Sequence, residues 1–426
     1  MPSLRPRSRS EALRLASAAV VVVAAVVLVV VLTGSSGHGS HSSAPLSQSS
    51  HSPVINVVPS HTGDAAVTRS LRHGTMVVAI DQPPSGVFAE QNASIAQGAA
   101  IAVEELNAAG GLARHIQMKL VPQDLDDLSP AAVEGRLRSE AAAALILPCD
   151  TDSQLRLAAG AARYGTLMLA PCNLDPTAAE RYSTYWPIGM STNEEMAGLT
   201  SYMRAIGYGS AFIVTAPGSR YVQLATEDFR TAAQRKGIRI VGSASIAMTT
   251  SDFSGVAHAI EAAGARRSIV FTALPPPLVN QLAASLKEHG LPQNVLGASV
   301  MDTGFILKDD ASALDGAVFS SYGFARETQA GHHFLATYKK LFGNEPVGSF
   351  PGLGFETIRV LEAAVHQAHS AEPNAIEQAL SRGLALEGVA LAERRYQPGA
   401  DHNPIGPVAV EKDFAGHFEQ VLATTP

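Results

Sequence analysis

Two short apolar runs, each followed by Pro-Cys and separated by one helical segment, constrain the fold more than any other part of the sequence. The runs are residues 145–147 and 167–170, and residues 155–163 between them have helical spacing. This pattern predicts a β-α-β unit with parallel strands joined by a right-handed crossover. The polar residues after each strand then lie at the carboxyl edge of the sheet, where open α/β sheets bind ligands. We therefore expect the two loops to form half of a ligand site.

The same alternation of short apolar runs and helical segments extends from residue 76 to residue 298. It predicts an α/β protein with two doubly wound parallel sheets, and we count about eight strands in two runs of four. Three later helices are assigned to the first lobe and late strands at 384–394, 408–410 and 417–422 to the second. The chain therefore crosses between the lobes several times, which predicts a multi-strand hinge. The expected boundaries are 74–188 plus 321–384 for lobe 1 and 189–320 plus 385–426 for lobe 2.

The N-terminus carries an export signal. Four arginines precede an uncharged run, rich in Val and Ala, at residues 15–32. Its length is near the lower limit for a transmembrane helix and long for the core of a signal peptide. The positive flank predicts a cytoplasmic N-terminus and an exported remainder. We expect residues 1–32 to be an uncleaved membrane anchor, with a cleaved secretory signal as the alternative, and the protein to lie outside the cytoplasmic membrane, anchored or secreted.

Residues 33–70 consist largely of Gly, Ser, His and Pro. Such a composition cannot bury enough apolar surface to fold, so the segment is predicted to be a disordered tether. Its histidines are irregularly spaced and have no Cys or carboxylate cluster beside them, so no metal site is predicted. The formal net charge is −7, and Lys and Arg do not cluster beyond the N-terminus. No nucleic-acid partner is therefore expected.

The sequence contains two cysteines, Cys149 and Cys172. They follow neighbouring predicted strands at the same level, and an exported protein allows them to pair. We predict a disulfide, with two buried free thiols as the alternative.

The sequence offers little support for an enzyme. There is no Gly-x-Ser-x-Gly elbow and no phosphate-binding loop, and the first predicted strand, residues 76–80, is followed by Asp-Gln-Pro-Pro. That loop cannot serve as a dinucleotide-binding turn. The sequence therefore favours a binding protein over an enzyme, and no cofactor is predicted.

Four stretches carry a family resemblance. They are GAAIAVEELNAAGGL at residues 98–112, MKLVPQDLDD at 118–127, LMLAPCN at 167–173 and QPGADHNPIGPVAV at 397–410. Their order resembles the type I periplasmic binding proteins and, within them, the branched-chain amino acid (Leu/Ile/Val) binding receptors of ABC transporters. The resemblance covers roughly residues 76–422. It implies two lobes that enclose a small ligand and present it to a transporter permease.

The resemblance also implies which residues contact the ligand. A shelf for the ligand carboxylate falls at the tips of the third and fourth strands, an aromatic residue covers the ligand, and a tyrosine closes over it from the second lobe. The group that meets the ligand ammonium is expected just after residue 298. The corresponding residues in this sequence are Asp150, Thr151, Ser153, Asn173 and Leu174 for the shelf, Phe88 for the cover, Tyr221 for the closing tyrosine, and Ser299 and Asp302 after residue 298.

Three of these positions depart from the family pattern. Asp150 replaces a serine, Leu174 replaces a hydroxyl residue, and Ser299 stands where the family has a carboxylate. An anion at Asp150 would repel a ligand carboxylate, so an amide or a cationic ligand fits the predicted shelf better than a neutral amino acid does. Asp150 and Ser153 also suit the N-cap of the helix that starts there, and one residue can both cap a helix and bind a ligand.

Together, these features predict an extracytoplasmic solute receptor that closes around a small amino-acid-like, amide or cationic molecule for an ABC permease. The alternative is a sensory ectodomain that transmits closure to a membrane partner.

Overall fold

The structure of the protein is a computed structural model that describes residues 74–424 except 87, 113–115, 176, 293, 308–310, 391–394, 397, 399–401, 405 and 415. The predicted N-terminal segment, residues 1–32, and the tether, residues 33–70, lie outside the described residues. Within the described part of the chain, no helix is both long enough and apolar enough to cross a membrane.

A five-stranded parallel sheet forms the first lobe. Its strands are β1 (Thr75–Asp81), β2 (Gln117–Gln123), β3 (Ala144–Ile146), β4 (Leu167–Ala170) and β5 (Tyr185–Pro187). The connecting helices are α1 (Ala89–Ala108), α2 (Pro130–Glu140), α3 (Thr151–Tyr164) and α4 (Ala178–Arg181). The strand order is β2-β1-β3-β4-β5. The central strands are buried on both faces, as parallel sheets covered by helices require.

The second lobe begins directly after β5 and repeats the same alternation. Its parallel strands are β6 (Ser210–Thr215), β7 (Arg239–Ser245), β8 (Ile269–Thr272), β9 (Val295–Gly297) and β10 (Val318–Ser321). Its helices are α5 (Thr192–Ala205), α6 (Arg220–Arg235), α7 (Ser254–Ala262) and α8 (Leu278–Glu288). A continuous buried core of aliphatic and aromatic side chains extends from this sheet into its helices.

The last part of the chain completes both lobes. It contains the helices α9 (Gln329–Phe342), α10 (Phe350–Ala368) and α11 (Pro373–Ser381), the short strands β11 (Leu384–Ala385) and β12 (Arg395–Tyr396), and the long strands β13 (Val408–Phe414) and β14 (His417–Thr424). Helix α10 packs on α1 of the first lobe. Strands β13 and β14 add to the second sheet in antiparallel orientation, which gives the order β14-β13-β10-β9-β8-β6-β7. The described chain thus passes between the lobes after β5, after β10 and before β13.

Two glycines allow α10 to lie directly against α1. A Cβ atom on Gly98 would lie 1.7 Å from the Pro351 carbonyl oxygen, and one on Gly354 would lie 2.0 Å from the Ile95 carbonyl oxygen. Neither position tolerates a side chain without moving the helices apart. This contact fixes the N-terminus of α10 beside the first lobe.

The prediction of two doubly wound parallel sheets is confirmed, but two details were wrong. Each sheet has five parallel strands rather than four. In the first sheet the buried run β5 pairs with β4 instead of only leading out of the lobe, and in the second sheet β10 pairs in parallel with β9. Residues 386–390, predicted as part of a strand, lie outside any strand. The reason is that the Glu356 carboxylate accepts hydrogen bonds from the backbone N–H groups of Val389 and Ala390, at 2.8 Å and 2.7 Å, which occupies these backbone donors.

Candidate functional site

A cleft lies between the two lobes at the carboxyl ends of their parallel strands, where open α/β sheets bind ligands. In this closed arrangement the space left between its side chains is about 10 Å³, which is room for about one water molecule. The cleft is lined by Phe88, Gln91, Cys149, Cys172, Leu174, Tyr221, Ser299, Val300, Tyr322 and Phe350.

Phe88 and Tyr221 face each other across the cleft. Phe88 directly precedes α1 and is half-buried, whereas Tyr221 is in the first turn of α6 and is buried. The Ser219 side chain caps α6 by accepting a hydrogen bond from the Val222 N–H at 3.4 Å, which fixes the turn that carries Tyr221. The two rings meet edge to face, with centroids 6.4 Å apart and an interplanar angle of 88°. One aromatic residue from each lobe therefore forms the cover of the cleft.

A disulfide forms one wall of the cleft. In the β3–β4 register Ile146 pairs with Leu169, so the cysteines three residues further along each strand lie level. Cys149 and Cys172 are bonded, with Cα atoms 5.3 Å apart, and both are buried. The predicted pairing is thus present in the structure. The covalent link joins the tips of the two strands that support this side of the cleft.

Glu195 lies behind the cleft in the first turn of α5. It is buried, and its Oε1 accepts hydrogen bonds from the Ser299 N–H and the Ser320 hydroxyl, each at 2.5 Å. Burial raises the pKa of Glu195 above its ordinary value, although the hydrogen bonds from Ser320 and Ser299 act in the opposite direction. Burial, and then the nearby Glu195 charge, raise the pKa values of Tyr221 and Tyr322. Both tyrosines are therefore neutral at physiological pH.

An ion pair joins the lobes beside the cleft. Arg220, at the start of α6, donates a hydrogen bond to the carboxylate of Asp175, which follows β4, at 3.0 Å. Burial raises the pKa of Asp175, but hydrogen bonds from Thr177 and Arg220 outweigh it and hold that pKa below its ordinary value. Asp175 is therefore charged at physiological pH, and the pair is well placed to hold the two lobes together.

Four of the nine predicted ligand residues line the cleft: Phe88, Leu174, Tyr221 and Ser299. Asp150 and Ser153 instead lie in a separate groove of the first lobe, which the cleft meets at Phe88. Asp150 caps α3 by accepting a hydrogen bond from the Ser153 N–H at 2.9 Å. The Ser153 hydroxyl donates to the carboxylate of Asp126, which also pairs with Arg156 at 2.7 Å.

The remaining three predicted ligand residues line neither space. Thr151 is fully buried in the first turn of α3. The Asn173 amide donates a hydrogen bond to the Asn403 side-chain oxygen at 2.6 Å. Asp302 is completely buried, and its Oδ2 accepts hydrogen bonds from the hydroxyl groups of Ser321 and Ser349. All three side chains are therefore buried in the protein interior, away from the surface of the cleft.

The sequence interpretation missed several residues that line the cleft. Gln91 is three residues after Phe88 and on the same face of the helix start, so helical spacing could have indicated it. Tyr322 directly follows β10 and therefore also lies at the carboxyl edge of its sheet. Val300 and Phe350 have no local signal, because their positions depend on contacts between distant segments. Among the described residues, no group of three or more His, Cys, Asp or Glu side chains is arranged to hold a metal ion.

Fold and cleft define a two-lobed binding protein, and comparison with family models agrees. Residues 75–412 match the model of the periplasmic binding protein family. The chain belongs to this family. No match is found among curated proteins.

Solved structures share the fold. A leucine-binding protein from Thermotoga maritima has a TM-score of 0.74 and 16% identity over 82% of this chain and 99% of its own. A branched-chain amino acid transporter substrate-binding protein from Streptococcus pneumoniae, in complex with isoleucine, has a TM-score of 0.73 and 17% identity over 83% of this chain and all of its own. A solute-binding protein from R. palustris in complex with benzoate has a TM-score of 0.67 and 17% identity over 83% of this chain and 97% of its own. At such identities the likeness shows the fold alone.

Proposed function

We propose that this protein is an extracytoplasmic solute receptor that closes its two lobes around one small molecule and presents it to an ABC transporter permease. The observation that carries the proposal is the cleft, whose walls come from both lobes and whose cover is the Phe88–Tyr221 contact. A site shared in this way is complete only when the lobes are together, so binding and closure are coupled.

The family and its structural neighbours support this proposal. The neighbours named above are described as transporter or solute-binding proteins, and their ligands include isoleucine and benzoate. All of these ligands are small.

A thermal-shift screen of small metabolites tests the binding proposal. A ligand that binds only the folded state raises the melting temperature, and mass spectrometry of the recovered compound should show no turnover. Small-angle X-ray scattering with and without the compound should show a smaller radius of gyration in its presence. A screen in which no compound stabilises the protein would contradict the receptor proposal, as would chemical conversion of the compound that binds.

Transport is tested separately in cells. Deleting the gene should abolish uptake of the identified compound at low external concentration, and expression of the full chain should restore it. The alternative function, a sensory ectodomain, predicts unchanged uptake together with a lost transcriptional response to the same compound. That result would show that the partner of the protein is a signalling protein instead of a transporter.

The proposed location is the outer face of the cytoplasmic membrane. It depends on residues 1–32, whose uncharged run would hold the chain in the membrane if it is not cleaved. Fractionation of cells that express the full chain should find the protein in the membrane fraction, with the binding domain accessible to protease from outside. Recovery of a shortened protein in the medium would instead show cleavage and secretion.

A further inference from the structure

The groove of the first lobe that contains Asp150 and Ser153 has far more open space than the closed cleft. Its volume is about 220 Å³, against about 10 Å³ for the cleft. An engineered cavity of about 150 Å³ in another protein holds benzene, so the groove has room for a small organic molecule. Its described lining comes from the first lobe alone, from within residues 83–92 and 148–153 and from Asp126.

The groove has an excess of negative charge. Among the described residues that line it, Asp126 and Asp150 carry a formal charge, and none is Lys, Arg or His. Arg156 pairs with Asp126 at 2.7 Å, which balances one of the two carboxylates. A cation in the groove therefore gains an opposite charge, whereas an anion meets two carboxylates.

The pKa of Asp81 reflects the same excess of negative charge. The buried Asp81 carboxylate accepts a hydrogen bond from the N–H of Leu125, the residue before Asp126, at 3.0 Å. Burial raises the pKa of Asp81 to about 6, although this hydrogen bond lowers it. The charges of Asp126 and Asp124 also raise the pKa, each by more than the Arg156 charge lowers it. Arg156 therefore does not cancel the carboxylates around the groove.

The N-terminus of α3, which could attract an anion, already has its own carboxylate. One oxygen of Asp150 accepts a hydrogen bond from the Ser153 N–H at 2.9 Å and so caps the helix. The other oxygen of Asp150 accepts no hydrogen bond within the part of the chain that the structure describes. This oxygen is therefore available to a donor on a ligand.

A buried amide in the groove adds a second and independent sign of a ligand. Asn92 lines the groove and is 2% exposed, and its Oδ1 accepts a hydrogen bond from the Cys149 N–H at 2.8 Å. That contact fixes the orientation of the amide. Its Nδ2 donates to none of the described residues. Buried polar groups are almost always satisfied in native proteins, so this donor indicates an acceptor on a bound molecule.

Phe88 connects the groove to the closing contact between the lobes. Its half-buried ring lines both the groove and the cleft. Aromatic rings attract cations to their faces. The same ring meets Tyr221 of the second lobe, with centroids 6.4 Å apart. A molecule in the groove therefore lies beside the residue at which the lobes meet.

We propose that the groove holds the cationic end of the solute, with an ammonium group between Asp150 and Asp126 and against the Phe88 ring, and a nearby ligand oxygen that accepts a hydrogen bond from Asn92. The substrate class is thus an organic amine that also carries a carbonyl, ether or hydroxyl oxygen. This inference deepens the proposed function and rests on it.

Isothermal titration of two matched series tests the charge preference with the full chain. One series is 4-(aminomethyl)benzamide, 4-methylbenzamide and 4-carbamoylbenzoate, and the other is 3-methoxypropylamine, 1-methoxybutane and 4-methoxybutanoate. We expect at least one amine to bind about tenfold or more tighter than the neutral compound and the anion of its series. Binding of a neutral compound or an anion as tightly as the better amine would overturn the inference, and so would failure of both amines to bind.

Replacing single carboxylates tests the place of binding. Asp150→Asn should weaken binding of the better amine about tenfold, and folding should be preserved because asparagine is an equally good N-cap. Asp152→Asn is the matched control, because Asp152 is an exposed residue in the same helical turn, does not line the groove and loses the same charge. An equal loss of affinity in both variants would show only a long-range effect of charge and would overturn the site.

The Asn92→Asp variant tests the buried donor. Aspartate keeps an oxygen that can accept from the Cys149 N–H and has no N–H₂ group to donate. The wild type should bind 3-methoxypropylamine more tightly than pentylamine, in which a methylene group replaces the ether oxygen. The preference should disappear in Asn92→Asp, an effect that a merely structural role of Asn92 would not produce. An unchanged preference, with circular dichroism showing native folding, would remove Asn92 from the proposed site.

The outcomes distinguish the inference from the proposed function. If a neutral or anionic solute binds and closes the lobes, the groove inference is wrong and the receptor proposal stands. If an amine binds through Asp150 but scattering shows no closure and cells show no uptake, the groove is a binding site and the receptor proposal is wrong.

Discussion

The Phe88 ring meets the Tyr221 ring edge to face across the cleft, with 6.4 Å between the ring centroids. The two residues are on different lobes, so this contact exists only when the lobes are close together. It is therefore a local measure of closure. Both rings line the cleft.

Removing either ring should weaken ligand binding. An edge-to-face aromatic pair contributes about 0.5–1.5 kcal/mol beyond the burial of its surface, so Phe88→Ala and Tyr221→Ala should each raise the dissociation constant by about two- to tenfold or more. Titration calorimetry with the ligand found by screening measures the change. Phe342→Ala is the matched control, because that aromatic residue is 41% exposed and does not line the cleft. Unchanged affinity in Tyr221→Ala would remove this residue from the site.

Breaking the disulfide should destabilise the protein and loosen the cleft wall. Cys149 and Cys172 are 23 residues apart in sequence, and closing a loop of this length contributes about 3 kcal/mol to the free energy of unfolding in the chain-entropy model. The double variant Cys149→Ala/Cys172→Ala should lose about this amount in urea unfolding. Intact mass should increase by two hydrogen atoms on reduction of the wild type. An identical mass would show that the thiols are not paired in solution.

The sequence predicted the fold well because its signals are local. The apolar runs at β3 and β4 and the helix between them define a β-α-β unit without knowledge of the rest of the chain. The level positions of Cys149 and Cys172 follow from the same unit. The strand predicted over residues 386–390 was wrong, because the backbone N–H groups of Val389 and Ala390 donate hydrogen bonds to Glu356. Glu356 is some 30 residues earlier in the chain, and no local pattern shows such a contact.

The candidate site was predicted less completely, since it depends on contacts between distant segments. Asp150 is at a strand tip, as a ligand residue would be, but only the structure shows that it lies in a separate groove. Glu195 has the local signature of an acidic residue in the first turn of a helix. Its hydrogen bonds to Ser299 and Ser320 span 104 and 125 residues, so the sequence could not reveal its place behind the cleft.

Weakening the ion pair between the lobes should favour the open state. Arg220 is 40% exposed in its side chain, so the pair is partly screened by solvent and is expected to contribute about 0.2–1 kcal/mol. Arg220→Gln should therefore weaken ligand binding by up to about fivefold, mainly through faster release. Stopped-flow dissociation kinetics measure the rate of ligand release. High salt screens the ion pair, so the difference in release rate between the wild type and Arg220→Gln should be smaller at high salt. Arg230→Gln, an exposed position on the same helix, is the control and should leave the release rate unchanged.

The buried Glu356 carboxyl should make stability depend on pH. Burial raises its pKa to about 7, although hydrogen bonds from the N–H groups of Val389 and Ala390 act in the opposite direction. Between about pH 4.5 and pH 7 the unfolded chain releases this proton while the folded protein keeps it. The folded state therefore binds more protons in this window, and its stability falls as pH rises. Burial raises the pKa of Asp302 to about 6 and that of Glu411 to about 8. Both residues therefore also make stability fall as pH rises.

Glu356→Gln should remove one part of this pH dependence. The glutamine cannot ionise, and its side-chain oxygen can still accept hydrogen bonds from the N–H groups of Val389 and Ala390. Between about pH 5 and pH 8 the wild type should lose about 3 kcal/mol more of its unfolding free energy than the variant does. Urea unfolding at several pH values measures the two slopes. Glu362→Gln, on the same helix and ion-paired with Arg359 at 2.6 Å, is the matched control for removing a carboxylate. Parallel slopes in the wild type and Glu356→Gln would show that Glu356 is already ionised in the folded protein.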